Sequence, residues 1–289
     1  MALDQAETLV LGAVAYDPKV VTIWEGFKAY FISRGLPFDY ILFSNYERQV
    51  EALLAGYCHV AWNSPLAWIR AERMARAAGQ QVQAIAMRDT DCDLRSVVVV
   101  RSNALITTIT DLKGKVIAVG AIDSPQASLL PLAYLQQEGL EPGVDFTVQR
   151  HDVLAGKHGD HIGGERASAQ ALMQGTADAA CLIRGNYDAF VQDRTLTPGS
   201  TRVIGETGPY DHCNFTVGPG VPSDLVQRFH DLLLGMSFAD PDVRPLMELE
   251  GVTAWQEGRV EGYRALDAAV DQAGFYDERG TITEGDYHY

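Results

Sequence analysis

Short, almost wholly apolar runs recur along the chain, each followed by a longer stretch of helical periodicity, and no other feature restricts the fold as much. Residues 8–15 (TLVLGAVA) read as a buried strand, with an amphipathic helix around 20–33. A second strand at 38–43 leads into a helix at 46–55 and a short strand at 58–62. Ser64 and Pro65 then open a helix to residue 78, serine being a good N-cap and proline fitting the first helical position. The β-branched run 94–101 (LRSVVVVR) is too apolar for an edge strand. Further strands are expected at 115–119, 145–150, 179–182 and 213–217, and helices at 125–138, 165–174, 223–236, 241–249 and 261–273. Strand–helix–strand repetition implies parallel strands joined by crossover helices, so the fold class is α/β. Residues 278–289 are polar and read as a tail.

The chain has 289 residues and a formal net charge of −15, from 23 Lys+Arg against 38 Asp+Glu. A surface this acidic repels phosphate backbones and anionic lipid, so nucleic acid and membrane surface are poor partners. A cleft can still hold an anion with local dipoles. Cys58, Cys92, Cys181 and Cys213 lie far apart with no CxxC pair, which supports neither a zinc ribbon nor a redox dithiol. No apolar run is long enough to span a bilayer, so no membrane insertion is expected. The opening MALDQAETLVLGAVAYDP carries no basic region followed by an apolar core and cleavage site. Two expectations follow: a periplasmic or other extracytoplasmic protein if a signal was removed, a cytoplasmic one if the chain is complete.

No Pro/Gly/Ser-rich linker separates consecutive domains, which favours a chain that crosses between two lobes. The segment 46–70 (YERQVEALLAGYCHVAWNSPLAWIR) resembles the type 2 periplasmic binding-protein fold, in its phosphate/phosphite/phosphonate-binding branch of solute-binding proteins. Residues 111–120 (DLKGKVIAVG) are similar to that fold's second-lobe entry, and 121–135 (AIDSPQASLLPLAYL) to the branch's polar loop and helix. Gly156 to His158, followed by 169–179 (AQALMQGTADA), resembles a further segment, and together the motifs cover residues 8–250. The resemblance implies two α/β lobes with two crossover strands and a ligand in the interlobe cleft. The first lobe is then 1–92 plus 212–289 and the second 93–211, with hinges near 92–96 and 208–214. It also implies service to an ABC importer, hence a transporter permease as partner and no required cofactor. The rival is a cytoplasmic enzyme on the same fold, a lyase, decarboxylase or cofactor-pathway synthase; a cytoplasmic sensor is a third reading.

The loop from Asp123 to Ser128 sits between a strand and a helix, where backbone N–H groups and the Ser124 and Ser128 hydroxyls form an anion site without fixed positive charge. Pro125 and Gln126 depart from the Ser/Thr-rich loop of phosphonate binders. Pro125 removes one donor, so a carboxylate or zwitterion fits as well as a phosphonate. Ser64 presents a second helix start. Tyr16 and Tyr46 follow the first two strands, where ligand-lining residues of α/β sheets collect. Trp62 and Trp68 read as core.

His158 matches the family's ligand-contacting histidine. The surrounding GKHGDHIGGER also places His161 and Glu165 close by, and His158, His161 and Glu165 form a His₂-carboxylate set of the kind that takes Zn or Fe. A polar loop with hydrogen-bonded histidines is the alternative. His158, His212 and Glu165 are the catalytic candidates of the enzyme reading. At the second crossing, Asp211 is expected to hold a ring nitrogen of His212. Neighbouring strand residues point to opposite faces, so His212 and Cys213 are expected apart. Asp89 to Asp93 offers a carboxylate for a cationic ligand group, or a solvated turn.

Overall fold

A computed structural model of the chain describes residues 8–159 and 163–289. In chain order the elements are β1 (Leu9–Val14), α1 (Lys19–Ser33), β2 (Phe38–Phe43), α2 (Tyr46–Leu54), β3 (Val60–Asn63), α3 (Pro65–Ala77) and β4 (Gln83–Arg88). There follow β5 (Ser96–Arg101), β6 (Val116–Val119), α4 (Leu130–Gln137), β7 (Thr147–Arg150), α5 (Gly163–Gln174), β8 (Ala179–Ile183), α6 (Arg184–Gln192) and β9 (Thr201–Glu206). The last are β10 (Asn214–Val217), α7 (Ser223–Leu234), α8 (Arg244–Glu250), β11 (Trp255–Glu257) and α9 (Arg264–Ala273). The fold is α/β.

Two compact units result. The first comprises residues through Cys92, Asp211–Tyr263 and Glu278–Thr281; the second comprises Asp93–Tyr210, Arg264–Asp277 and Ile282–Tyr289. The chain first passes from one unit to the other between Cys92 and Asp93. The C-terminal stretch differs from the expected 212–289, because α9 packs on α4 and so joins the second unit.

The first unit's sheet has the order β11-β4-β10-β3-β1-β2. Strands β1, β2 and β3 are parallel, as expected, but β10 runs antiparallel to both β3 and β4. Strand β10 arrives from the second unit without a crossover helix, so nothing obliges it to run parallel. The core of this unit is aromatic: the ring centres of Phe31 and Phe38 are 4.8 Å apart, and those of Trp62 and Phe215 4.6 Å. Trp62 and Trp68 are both buried.

The second unit's sheet, β7-β6-β8-β5-β9, is also mixed, with β5 antiparallel to both neighbours. The valine run of β5 explains its interior place. Val98 and Val100 enter one apolar cluster with Ile117 and Leu135, while Val97 and Val99 enter another with Leu172 and Phe190. A strand covered on both faces has no reason to alternate polar with apolar residues. Residues 278–289 are not a loose tail: Arg70 Nε donates to the Gly280 carbonyl (3.1 Å) in the first unit, and the Tyr287 ring is buried against Phe275 in the second.

Helix α3 begins as the sequence demanded. Ser64, fully buried, accepts a hydrogen bond from the Ala67 N–H (3.1 Å), and Pro65 takes the first helical position. Ser64→Ala is expected to lower stability by about 1 kcal/mol, read as a shift of the urea midpoint at unchanged slope.

Candidate functional site

Each unit carries a polar cluster built at strand ends. In the second unit the segment after β6 runs Gly120, Ala121, Ile122, Asp123, Ser124, and all five are buried. Ser124 caps the helical turn Pro125–Leu129, its hydroxyl accepting from the Ala127 N–H (3.2 Å). That turn is wider than an α-helix: Leu129 N–H reaches the Ser124 carbonyl, five residues back, at 3.0 Å. Pro131 accounts for part of this. It has no N–H to offer the Ala127 carbonyl, which instead accepts from Gly120 N–H (3.0 Å). The Gln126 carbonyl takes the Ser96 hydroxyl (2.5 Å), which lies 2.9 Å from the Tyr210 hydroxyl. Gly120 is required here, since a Cβ would come within 2.7 Å of Ala127 Cβ.

The glycine-rich segment packs onto this helix start. Asp123 Oδ2 accepts from the N–H groups of Gly156 (2.6 Å) and His158 (3.2 Å). Gln126 Nε2 donates to the Gly159 carbonyl (2.7 Å), and its Oε1, also buried, has no partner among the described residues. His158 is fully buried in a left-handed backbone conformation (φ +51°), beside Gly156 and Gly159 at positive φ. Burial also pushes the Lys157 ammonium pKa down. Ser128, fully buried, accepts from Arg150 Nη1 (2.9 Å), so a positive charge does stand beside the loop. Arg150 and Ser96 were not singled out from sequence, because each reaches the loop from another part of the chain.

The trio His158, His161 and Glu165 fares differently. His161 lies outside the described residues. Glu165 is buried, and its carboxylate accepts from Ile183 N–H (2.8 Å) and Asn186 Nδ2 (3.0 Å), which caps the start of α6. Those bonds account for a buried acid there. Helix α5, expected from residue 165, starts at Gly163.

In the first unit Asn63 anchors a buried chain of side chains. Gln49 Nε2 donates to Asn63 Oδ1 (2.8 Å), Asn63 Nδ2 to Thr216 Oγ1 (2.9 Å), and Thr216 to Asn214 Oδ1 (2.7 Å). Asn214 Nδ2 in turn donates to the Tyr263 hydroxyl (2.9 Å), which donates to the His212 carbonyl (2.9 Å). The Tyr263 pKa is raised, chiefly by burial. Tyr46 lies within an apolar cluster with Val14, Val50, Ala67 and Ala71, and Tyr16 is half-buried against the aromatic core.

Next to this chain, Arg88 binds Asp91 through two nitrogens (2.6 and 2.9 Å) and Glu250 Oε1 at 3.3 Å. Burial alone would raise the Asp91 carboxyl, but Arg88 and the hydrogen bond to His212 hold it down, at about 2. Two expectations are corrected here. Asp211 does not hold His212; its carboxylate pairs with Arg259 (2.5 and 2.6 Å), and Asp91 lies by the imidazole instead. His212 and Cys213 are not apart either: Nδ1 and Sγ are 3.1 Å from each other. Strand β10 begins only at Asn214, so the alternation rule does not reach them. Asp89 accepts from Thr253 N–H (3.1 Å) and Thr90 N–H (3.0 Å), which makes it part of a turn.

The fold has solved relatives. Over 93% of this chain and 99% of that one, it is similar to PhnD1 from Prochlorococcus marinus (MIT 9301) in complex with methylphosphonate, with a TM-score of 0.69 at 16% identity. XAC2383 from Xanthomonas citri, bound to ATP, gives a TM-score of 0.69 at 16% identity over 92% of this chain and 97% of that one. The periplasmic aliphatic sulphonate binding protein SsuA from Escherichia coli gives 0.54 at 18% identity, over 92% and 83%. These likenesses establish the two-lobed type 2 periplasmic binding-protein fold. No helix among the described residues is long and apolar enough to cross a membrane. The model of the family described as "ABC transporter, phosphonate, periplasmic substrate-binding protein" matches residues 13–263. The chain belongs to that family of extracytoplasmic, solute-capturing proteins of ABC transporters.

Proposed function

We propose that the protein captures a small oxyanion-bearing solute at the wide helix start 124–129 of its second unit and delivers it, outside the cytoplasm, to the permease of an ABC importer. The observation that carries this reading is the buried turn itself: two serine hydroxyls and an amide side chain gathered at a helix N-terminus, with Arg150 on one serine. Ser124, Gln126, Ser128 and His158 are the proposed contacts there. Tyr16, Tyr46, Ser64 and His212 are the candidates in the first unit. The Gln126 Oε1 acceptor favours a solute that brings a donor of its own, such as a protonated phosphonate or an ammonium-bearing zwitterion. Glu165, one of the catalytic candidates of the enzyme reading, is engaged in structural bonds to Ile183 and Asn186.

Calorimetric titration with methylphosphonate, inorganic phosphate, an alkanesulfonate and a small carboxylate tests this. At least one should bind with micromolar or tighter affinity. Ser124→Ala and Ser128→Ala should each weaken it at least tenfold, about 1.4 kcal/mol. Ser64→Ala is the matching arm in the first unit. No binding across the panel, or binding indifferent to both second-unit variants, overturns the reading.

A further inference from the structure

Asp91, His212 and Cys213 present an oxygen, a nitrogen and a sulfur that all lie within 4.8 Å of one another in the first unit, and all three residues are buried. Cys213 Sγ is 3.1 Å and Asp91 Oδ1 is 3.5 Å from the same imidazole nitrogen, Nδ1 of His212. One ring nitrogen carries either a single proton or a single lone pair. If it accepts from the thiol, the Asp91 oxygen faces it with no proton between them. If it donates, one N–H is divided between two acceptors. A cation placed among the three atoms removes the conflict, because each then points a lone pair at positive charge.

We propose that Asp91, His212 and Cys213 form a binding site for a borderline-soft divalent cation, of which Zn²⁺ is the best match, with one position left for water or another exogenous donor. Tetrahedral zinc, with bonds of about 2.0–2.3 Å, separates its N, O and S ligands by about 3.3–3.6 Å. The Asp91 to His212 separation, 3.5 Å, falls in that range, and the Cys213 to His212 separation, 3.1 Å, has to open by a few tenths of an ångström on binding. A thiolate with an imidazole selects against Mg²⁺ and Ca²⁺, which prefer oxygen. Arg88 grips the Asp91 carboxylate through both oxygens and also reaches Glu250, which fixes the ligating group's orientation. Its positive charge does not forbid a second cation, since Asp91, Glu250 and a Cys213 thiolate together carry three negative charges. Binding releases the thiol proton to solvent.

The place of the site gives it a role. Asp91 stands just before the boundary at Cys92, where the chain leaves the first unit; His212 and Cys213 stand just after Asp211, where it returns. The two segments already share one backbone bond, His212 N–H to the Asp91 carbonyl (2.8 Å). A bound metal ties exit to entry with three more bonds.

The test uses reduced protein freed of metal with a chelator, titrated with Zn²⁺ by calorimetry and with Co²⁺ by absorption. The expected result is one equivalent per chain, a near-ultraviolet thiolate-to-cobalt band, the strong visible bands of tetrahedral Co²⁺, and a higher Tm with Zn²⁺. Cys213→Ser should abolish the thiolate band, and His212→Asn should weaken Zn²⁺ at least tenfold. His230→Gln, which removes the imidazole paired with Glu257 on the surface, should change neither. Absence of binding overturns the proposal, as does a cobalt spectrum without thiolate character in the unmodified protein, a result that needs no variant to fold. A site lost in His230→Gln instead is adventitious surface binding and overturns it too.

Discussion

Arg88→Met is expected to lower the stability of the metal-free protein by about 3–5 kcal/mol, the largest loss of any single substitution considered. The guanidinium is the shared partner of two buried carboxylates, Asp91 and Glu250, and it also lies 5.2 Å from the Trp62 ring. Removing it leaves two anions in a poorly solvated interior, and a methionine of similar length can replace only the packing of its stem. The tryptophans of this core, Trp62 and Trp255, report the transition by fluorescence in urea. The acid limb should change as well. With the Asp91 carboxyl held at about 2 against an ordinary 3.8, its ionised form contributes stability that is fully present above the ordinary value and fades as pH falls through the lower one. In Arg88→Met the part of that contribution that Arg88 supplies disappears, and the triple variant with Asp91→Asn and Glu250→Gln should recover much of the loss. A loss under about 1 kcal/mol with an unchanged acid limb would show that Arg88 is not what holds the pair.

Gly159→Val is expected to reduce affinity for methylphosphonate, or for whichever panel member binds, by 100-fold or more, about 2.7 kcal/mol. Gly159 has φ +74°, and a Cβ there would fall 2.5 Å from Ser124 Oγ and 2.6 Å from Gln126 Nε2. The branched side chain must displace both groups proposed to hold the anion. The left-handed backbone adds strain of about 1–2 kcal/mol, which by itself lowers stability and not affinity. Gly175→Val separates the two effects: Gly175 has φ +77°, but among the described residues nothing lies within 4 Å of a Cβ there. It should destabilise without weakening binding. Equal affinities for Gly159→Val and the unmodified protein would move the site away from the 124–129 turn.

Much of what positions these groups could be read along the chain because its causes are local. The Ser64-Pro65 and Ser124-Pro125 starts need only a cap and the four residues after it, so both were legible. The four valines of β5 announced a covered strand for the same reason: burial on both faces acts on each residue in turn. Strands β4 and β9, like the three-residue β11, were missed. The first two mix polar with apolar residues, QAIAMR and TRVIGE, and become strands through the partners they pair with.

The sequence by itself determined the α/β class, the serine-capped helix starts at Ser64 and Ser124 and the family, since these depend on short-range periodicity and on motifs within a few tens of residues. Only the tertiary structure decided which charges meet. Glu165 seemed poised for a metal beside two histidines, yet it caps a helix that begins with Arg184. Asp211 seemed made for its neighbour His212, yet it binds Arg259, while His212 meets an aspartate 121 residues earlier in the chain (212 less 91). The reason is energetic: a buried charge must find a partner wherever the fold offers one, and separation along the chain, which is all the sequence records, has no bearing on that choice.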